Sequence, residues 1–232
     1  MQEYGVTKVD PIEQTKRSAM QLIIRYWFLC VSVFFLAGSS DCASFILNTG
    51  NFIDEDNIKN GDIVFQRGLN ALSRFVVSVD DGAVYSHVGI VYKSSAGTFV
   101  IHVLPDNDGE TDAVVQIEAI GDFLSPHNTS QYAIYRYRDE CSKISEQAAA
   151  SALFLFRDRC GYDYKFDYRD HDRLYCTELV WYAYKNANID LIDGRFEYVS
   201  FPFYKKRYIL VSGLLKSEYL KLVMKNSIKR SF

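Results

Sequence analysis

Leu174-Tyr175-Cys176-Thr177-Glu178-Leu179-Val180-Trp181-Tyr182 is the stretch on which the reading of this chain turns. Leu179, Val180, Ala183 and Tyr184 recur at helical spacing, which predicts an amphipathic helix over 177–188 with Cys176 at its start. A helix N-terminus presents unpaired N–H groups and about half a positive charge, so a cysteine there is expected as a thiolate nucleophile. Its candidate base lies far upstream. His87, in Tyr85-Ser86-His87-Val88-Gly89-Ile90-Val91-Tyr92, opens a run of strand character, and a second such run, Thr98-Phe99-Val100-Ile101-His102-Val103-Leu104, carries His102. The turn residues Ser94-Ser95-Ala96-Gly97 between them predict a hairpin that sets the two histidines side by side. A thiolate, an imidazole base and a group orienting that base make a cysteine-hydrolase triad, here in the chain order His, His, Cys. In the ion-pair form the imidazolium of His87 and the thiolate stabilise each other, while His102 holds His87 in the productive tautomer.

Four words in order carry a family resemblance. Gly61-Asp62-Ile63-Val64-Phe65, Ser86-His87-Val88-Gly89-Ile90, Val100-Ile101-His102 and Tyr175-Cys176-Thr177-Glu178-Leu179 resemble the successive motifs of the circularly permuted NlpC-type papain-like hydrolases. The YiiX/YaeF branch is the nearest match, and lecithin:retinol acyltransferase-like enzymes are more distant. In unpermuted papain-like enzymes the cysteine precedes the histidine; here it follows. The resemblance runs from roughly Gly61 to Asn188. It implies an α+β fold of the circularly permuted papain-like (NlpC-type) kind, with an antiparallel sheet packed against the cysteine-bearing helix. It also implies a cysteine-dependent hydrolase with Cys176, His87 and His102 as the catalytic set and no cofactor. An amidase or peptidase and a lipid-directed acyl hydrolase both fit, so the substrate is a peptide, peptidoglycan or a lipid or other acyl compound. An acyltransferase acting on lipids and a catalytically silent binding module of the same fold are the alternatives.

Composition agrees with one catalytic domain over 41–232. The chain has 232 residues, 48% of them hydrophobic and 15% aromatic, enough for one full core. A formal net charge of −3 and the lack of a long Lys/Arg tract argue against nucleic acid as a partner. Residues 1–40 read as a leader: Tyr26 to Ser40 are uncharged and rich in Phe, Leu and Val, and Ala37-Gly38-Ser39-Ser40 supply small residues for cleavage. The expected location is therefore exported, periplasmic or extracytoplasmic. If the apolar segment is retained, it anchors the protein to a membrane. Five cysteines are few for a disulfide scaffold, and a helix over 143–158 would hold Cys141 and Cys160 some 25 Å apart, at about 1.5 Å per residue, so they are not expected to pair.

The remaining signals fill in the domain. Asp62-Ile63-Val64-Phe65 reads as its first strand, Gly68 to Val79 as a short helix, and Val114 to Glu118, Gln131 to Tyr137 and Tyr208 to Val211 as strands, followed by a basic tail. His171 and His127 read as solvated loop residues. Asp163 and Asp167 sit in an aromatic loop, Tyr162-Asp163-Tyr164-Lys165-Phe166-Asp167-Tyr168, whose tyrosines are expected to wall the cleft rather than to mark a glycosidase pair. Asp62 reads as a group that orients the first strand. No metal is expected, because the closely spaced ligand pairs of zinc sites do not occur.

Overall fold

The computed structural model describes residues 53–80, 82–105, 113–139, 143–201 and 204–228. The leader over 1–40, the membrane association it would confer, and Cys141 lie outside these residues. Among the described residues no helix is long and apolar enough to cross a membrane.

Among the described residues ten strands follow in chain order: β1 (Ile63–Gly68), β2 (His87–Ser94), β3 (Gly97–His102), β4 (Gln116–Ala119), β5 (Thr129–Tyr137), β6 (Gly161–Tyr162), β7 (Arg173–Leu174), β8 (Glu197–Phe201), β9 (Tyr204–Tyr208) and β10 (Leu220–Ser227). Six of them form one sheet in the order β10-β5-β1-β2-β3-β4, antiparallel at every pairing. The fold is thus α+β, and the hairpin expected at Ser94–Gly97 joins β2 to β3. Alternation along the strands sends Ile63, Phe65, Val88, Ile90 and Ile101 to one face, where helices Ile144–Arg157 and Cys176–Asn186 cover them. Val64, Val91, Val100 and Ile134 face the other way, under Ile58, Ile120, Phe123 and Leu124. With both faces covered, the central strands read as nearly unbroken apolar runs, which no surface sheet would tolerate.

Asp62 orients β1 through a buried ion pair. Its two carboxylate oxygens take the Nε and Nη2 of Arg136 on β5, each at 2.7 Å, and Lys59 N–H donates to it at 2.9 Å. Gly61 beside it has a φ of +78°, and a Cβ there would run into the main chain of Ser145, so only glycine lets the chain turn this close to a helix. Its carbonyl accepts the Tyr184 hydroxyl at 2.7 Å, which ties the Gly61-Asp62 corner to the cysteine helix.

Two expectations are corrected. Tyr208 to Val211 is not one strand: β9 ends at Tyr208 and a short helix runs from Val211 to Leu215. Side chains of the cysteine helix's first turn claim the backbone between them, since Ile209 N–H donates to Tyr175 Oη at 3.0 Å and its carbonyl accepts Thr177 Oγ1–H at 2.5 Å. The basic tail, in turn, supplies β10, the sheet's outer strand against β5. Lysines 221 and 225 suit an outer strand, because their charge discourages pairing with a further chain.

Candidate active site

Cys176 is the first residue of the helix Cys176–Asn186, and the Tyr175 that caps it is extended and offers no side-chain acceptor. The first-turn N–H groups therefore stay available, as a helix start requires. The thiol sits among three backbone N–H groups, those of Thr177 and Cys176 in that first turn and that of Val88 on β2. They favour the thiolate, but burial outweighs them and pushes the thiol up to about 11. His87 moves the opposite way, well below its usual value, first through burial and then through the neighbouring His102. The expected thiolate–imidazolium pair is corrected accordingly: removal of water costs both charged forms more than the helix terminus returns, and the resting state is thiol and neutral imidazole.

The two histidines meet as the hairpin predicts. His87 Nε2 lies 3.0 Å from His102 Nδ1. One step beyond the Ile90–Ile101 pair, His102 comes level with Gly89, and His87 is the next residue on that face. A Cβ at Gly89 would stand 2.9 Å from the Ile101 carbonyl oxygen and 3.1 Å from His102 Cβ, so the missing side chain is what admits the second imidazole. Phe123 covers both rings, with centroid distances of 5.6 and 5.0 Å, and is set by Gln66 and Thr129, which hydrogen-bond its carbonyl. Glu118 on β4 stands 3.3 Å from the far nitrogen of His102.

Cys176 and His87 line one cleft of about 240 Å³. Among the described residues no hydrogen bond joins the thiol to either imidazole; the structure brings the two histidines into contact and places the thiol in the cleft that His87, but not His102, lines. Leu72, Phe75, Val103, Leu104, Ile209 and Val211 make most of the wall apolar, and Tyr162 and Phe166 of the aromatic loop close one side. Helix Ala71–Val79, capped by Asn70 through Ser73 N–H at 2.7 Å, contributes Leu72 and Phe75, both exposed. The period of that helix was legible; its role as a cleft wall was not, because nothing local tells which of its faces meets the thiol.

The other candidates serve the scaffold. Asp163 is buried and accepts the N–H groups of Lys165 and Asp167, shaping the aromatic loop, and Asp167 pairs with Arg169 at the surface. His127 is in an exposed turn, as expected. His171 departs from its solvated reading: it packs on the Tyr182 ring at 4.3 Å and reaches the fully buried Glu178 at 3.2 Å. Burial pushes Glu178 up to about 9, with Asp163 adding to the effect, and lowers His171. At neutral pH the pair is a carboxylic acid against a neutral imidazole. Because the folded value of Glu178 exceeds the unfolded one, the folded state holds the extra proton and stability falls as pH rises from about 4.5 to 9. Glu178→Gln carries no such penalty. It is expected to be more stable than the wild type by about 1–3 kcal/mol at pH 8, with a gap in Tm that closes by pH 5; parallel melting curves across that range would contradict the assignment. Among the described residues no group of three His, Cys, Asp or Glu side chains is placed to hold a metal ion.

Comparison with known proteins bears on the family and the fold. The sequence model of a family described as permuted papain-like amidase enzyme, YaeF/YiiX, C92 family, matches residues 57–197. YiiX of Escherichia coli strain K12, itself uncharacterized, is 25% identical over 129 residues, which is 56% of this chain. The match spans 58% of that relative's length. The crystal structure of a protein called metalloprotein YiiX, from Escherichia coli O157:H7, superposes with a TM-score of 0.59 at 19% identity, covering 73% of this chain and 98% of that one. At that identity the likeness speaks for the fold.

Proposed function

The chain belongs to the permuted papain-like amidases of the YaeF/YiiX type, and from that premise we propose that it is a cysteine-dependent acyl hydrolase whose catalytic set is Cys176, His87 and His102. The observation that carries this reading is the shared cleft: a nucleophile at a helix start and an imidazole already paired to a second imidazole open onto the same apolar space. A substrate carbonyl entering there stands beside the thiol. The proton passes from Sγ to His87 as sulfur attacks, and the oxyanion is held by the Cys176 N–H. His87 then returns the proton to the leaving group, and water releases the acyl-enzyme. The neutral resting pair suits this order, since charge appears only when the carbonyl is in place; catalytic hydrogen bonds commonly tighten at that stage.

The cleft also favours one substrate class among peptide, peptidoglycan and lipid. Among the described residues its wall is mostly apolar, and the one acidic residue lining it, Asp80, accepts Ser212 N–H at 2.9 Å. A flexible acyl chain fits such a wall, whereas a charged cell-wall peptide would lose its hydration without partners. Export through the apolar segment Tyr26–Ser40 would bring the domain to membrane lipids. The test offers the full chain acyl thioesters, esters and amides from acetyl to decanoyl, together with muropeptides and with Cys176→Ala as control. Turnover that depends on Cys176 is expected, with kcat/KM rising about fourfold per added methylene until the cleft is full. Muropeptide cleavage without acyl turnover would overturn the substrate class, and equal processing by the alanine variant would overturn the hydrolase.

A further inference from the structure

Three neighbouring strands carry a row of proton-holding groups on one face. His102 is opposite Gln116 and Val100 opposite Glu118, so Glu118 is the diagonal neighbour of His102, as His102 is of His87. The 3.0 Å contact between His87 Nε2 and His102 Nδ1 needs one donor and one acceptor, and geometry alone permits either direction. Direction must come from the far end. There His102 Nε2 is buried and makes no aligned hydrogen bond, and Glu118 Oε2, on a partly exposed side chain, stands 3.3 Å away.

We propose that Glu118 is the positioning residue that fixes the tautomers of the histidine pair and thereby aims a bare nitrogen of His87 at the thiol. This rests on His87 being the base. A carboxylate only accepts, so it selects the N–H form at His102 Nε2 and leaves His102 Nδ1 with its lone pair. That lone pair accepts from His87 Nε2–H. His87 Nδ1 is then unprotonated, and it is the nitrogen that His102 does not engage. When the thiol proton transfers, the S–H bond breaks, an N–H bond forms at Nδ1, and no proton need leave Glu118 or His102. The positive charge that results stays on His87 and is stabilised, through the polarised His102 ring, by the negative carboxylate. Glu118 touches neither the thiol nor the cleft, which is why its part is orientation.

The experiment uses the full chain as wild type, Glu118→Ala, Glu118→Gln and His87→Ala. Iodoacetamide alkylation of Cys176 is followed across pH, and the ring nitrogens of His87 are observed by long-range nitrogen–proton NMR. Outer groups that orient a ligating histidine are worth ten- to a hundredfold in metal sites, and a loss of about tenfold in alkylation rate at pH 7 is expected for Glu118→Ala. Its His87 should populate both tautomers, where the wild type shows Nε2–H alone. Glu118→Gln, whose amide oxygen can accept the same N–H, should recover most of the rate, and all three proteins should melt together. A wild-type tautomer and pH profile in Glu118→Ala would overturn the proposal. Unchanged alkylation in His87→Ala would instead remove the base, and the role of Glu118 with it.

Discussion

His87→Ala is expected to lower kcat/KM at pH 7 about 10²–10⁴-fold, the range typical of a lost general base, and Cys176→Ala to remove turnover altogether. The size follows from the resting state. With the thiol pushed up to about 11, very little thiolate exists at neutral pH, so an enzyme without its base must wait for spontaneous ionisation. The wild type and His87→Ala should also differ in the shape of their pH dependence. In the wild type the base is usable wherever His87 is unprotonated, and its lowered value extends that range into mildly acidic solution. The rate should therefore stay level from about pH 6 to 8. In His87→Ala it should climb about tenfold per pH unit from 7 toward the thiol's own value. A His87→Ala enzyme within twofold of wild type at pH 7, or one with a level profile, would contradict the assignment.

How much of this was legible in the sequence depended on range. The cysteine helix and the β2–β3 hairpin rest on local periodicity and turn chemistry, and both came through, as did the proximity of His87 and His102, which follows from a hairpin of known register. Ile209 shows the opposite case. Its β-branched surroundings favour a strand, yet two hydroxyls from the cysteine helix take its N–H and carbonyl, a contact 32 to 34 residues away in the chain. The charge state of Cys176 departs from the helix-start expectation for a related reason. A helix terminus is visible in a sequence and its pull on a thiol can be anticipated, whereas the loss of water in the assembled cleft is not visible and here is the larger effect. Glu118 left a fainter signal: Val114-Val115-Gln116-Ile117-Glu118 alternates, so Gln116 and Glu118 share a face, but which strand receives that face is a matter of sheet order.

Asp62→Ala is expected to destabilise the fold by about 3–5 kcal/mol, the usual consequence of stripping one partner from a buried ion pair. Arg136 is buried on β5, and without the carboxylate it would lose the two hydrogen bonds and the countercharge that Asp62 supplies. The cost is that of a buried cation stripped of its countercharge, so the pair itself need not be strongly favourable. Asp62→Leu combined with Arg136→Met should accordingly melt closer to wild type than either single alanine variant does. The pair also reaches the proposed catalytic set. Asp62 directly precedes β1, and the register it secures puts Gln66 opposite His87 and lets Gln66 hold the Phe123 carbonyl at 2.6 Å, behind both imidazoles. Asp62→Ala should therefore lose activity on warming before it loses its helical signal, whereas the double variant retains both. An Asp62→Ala protein that melts within about 2 °C of wild type would show that neither the ion pair nor the register depends on this carboxylate.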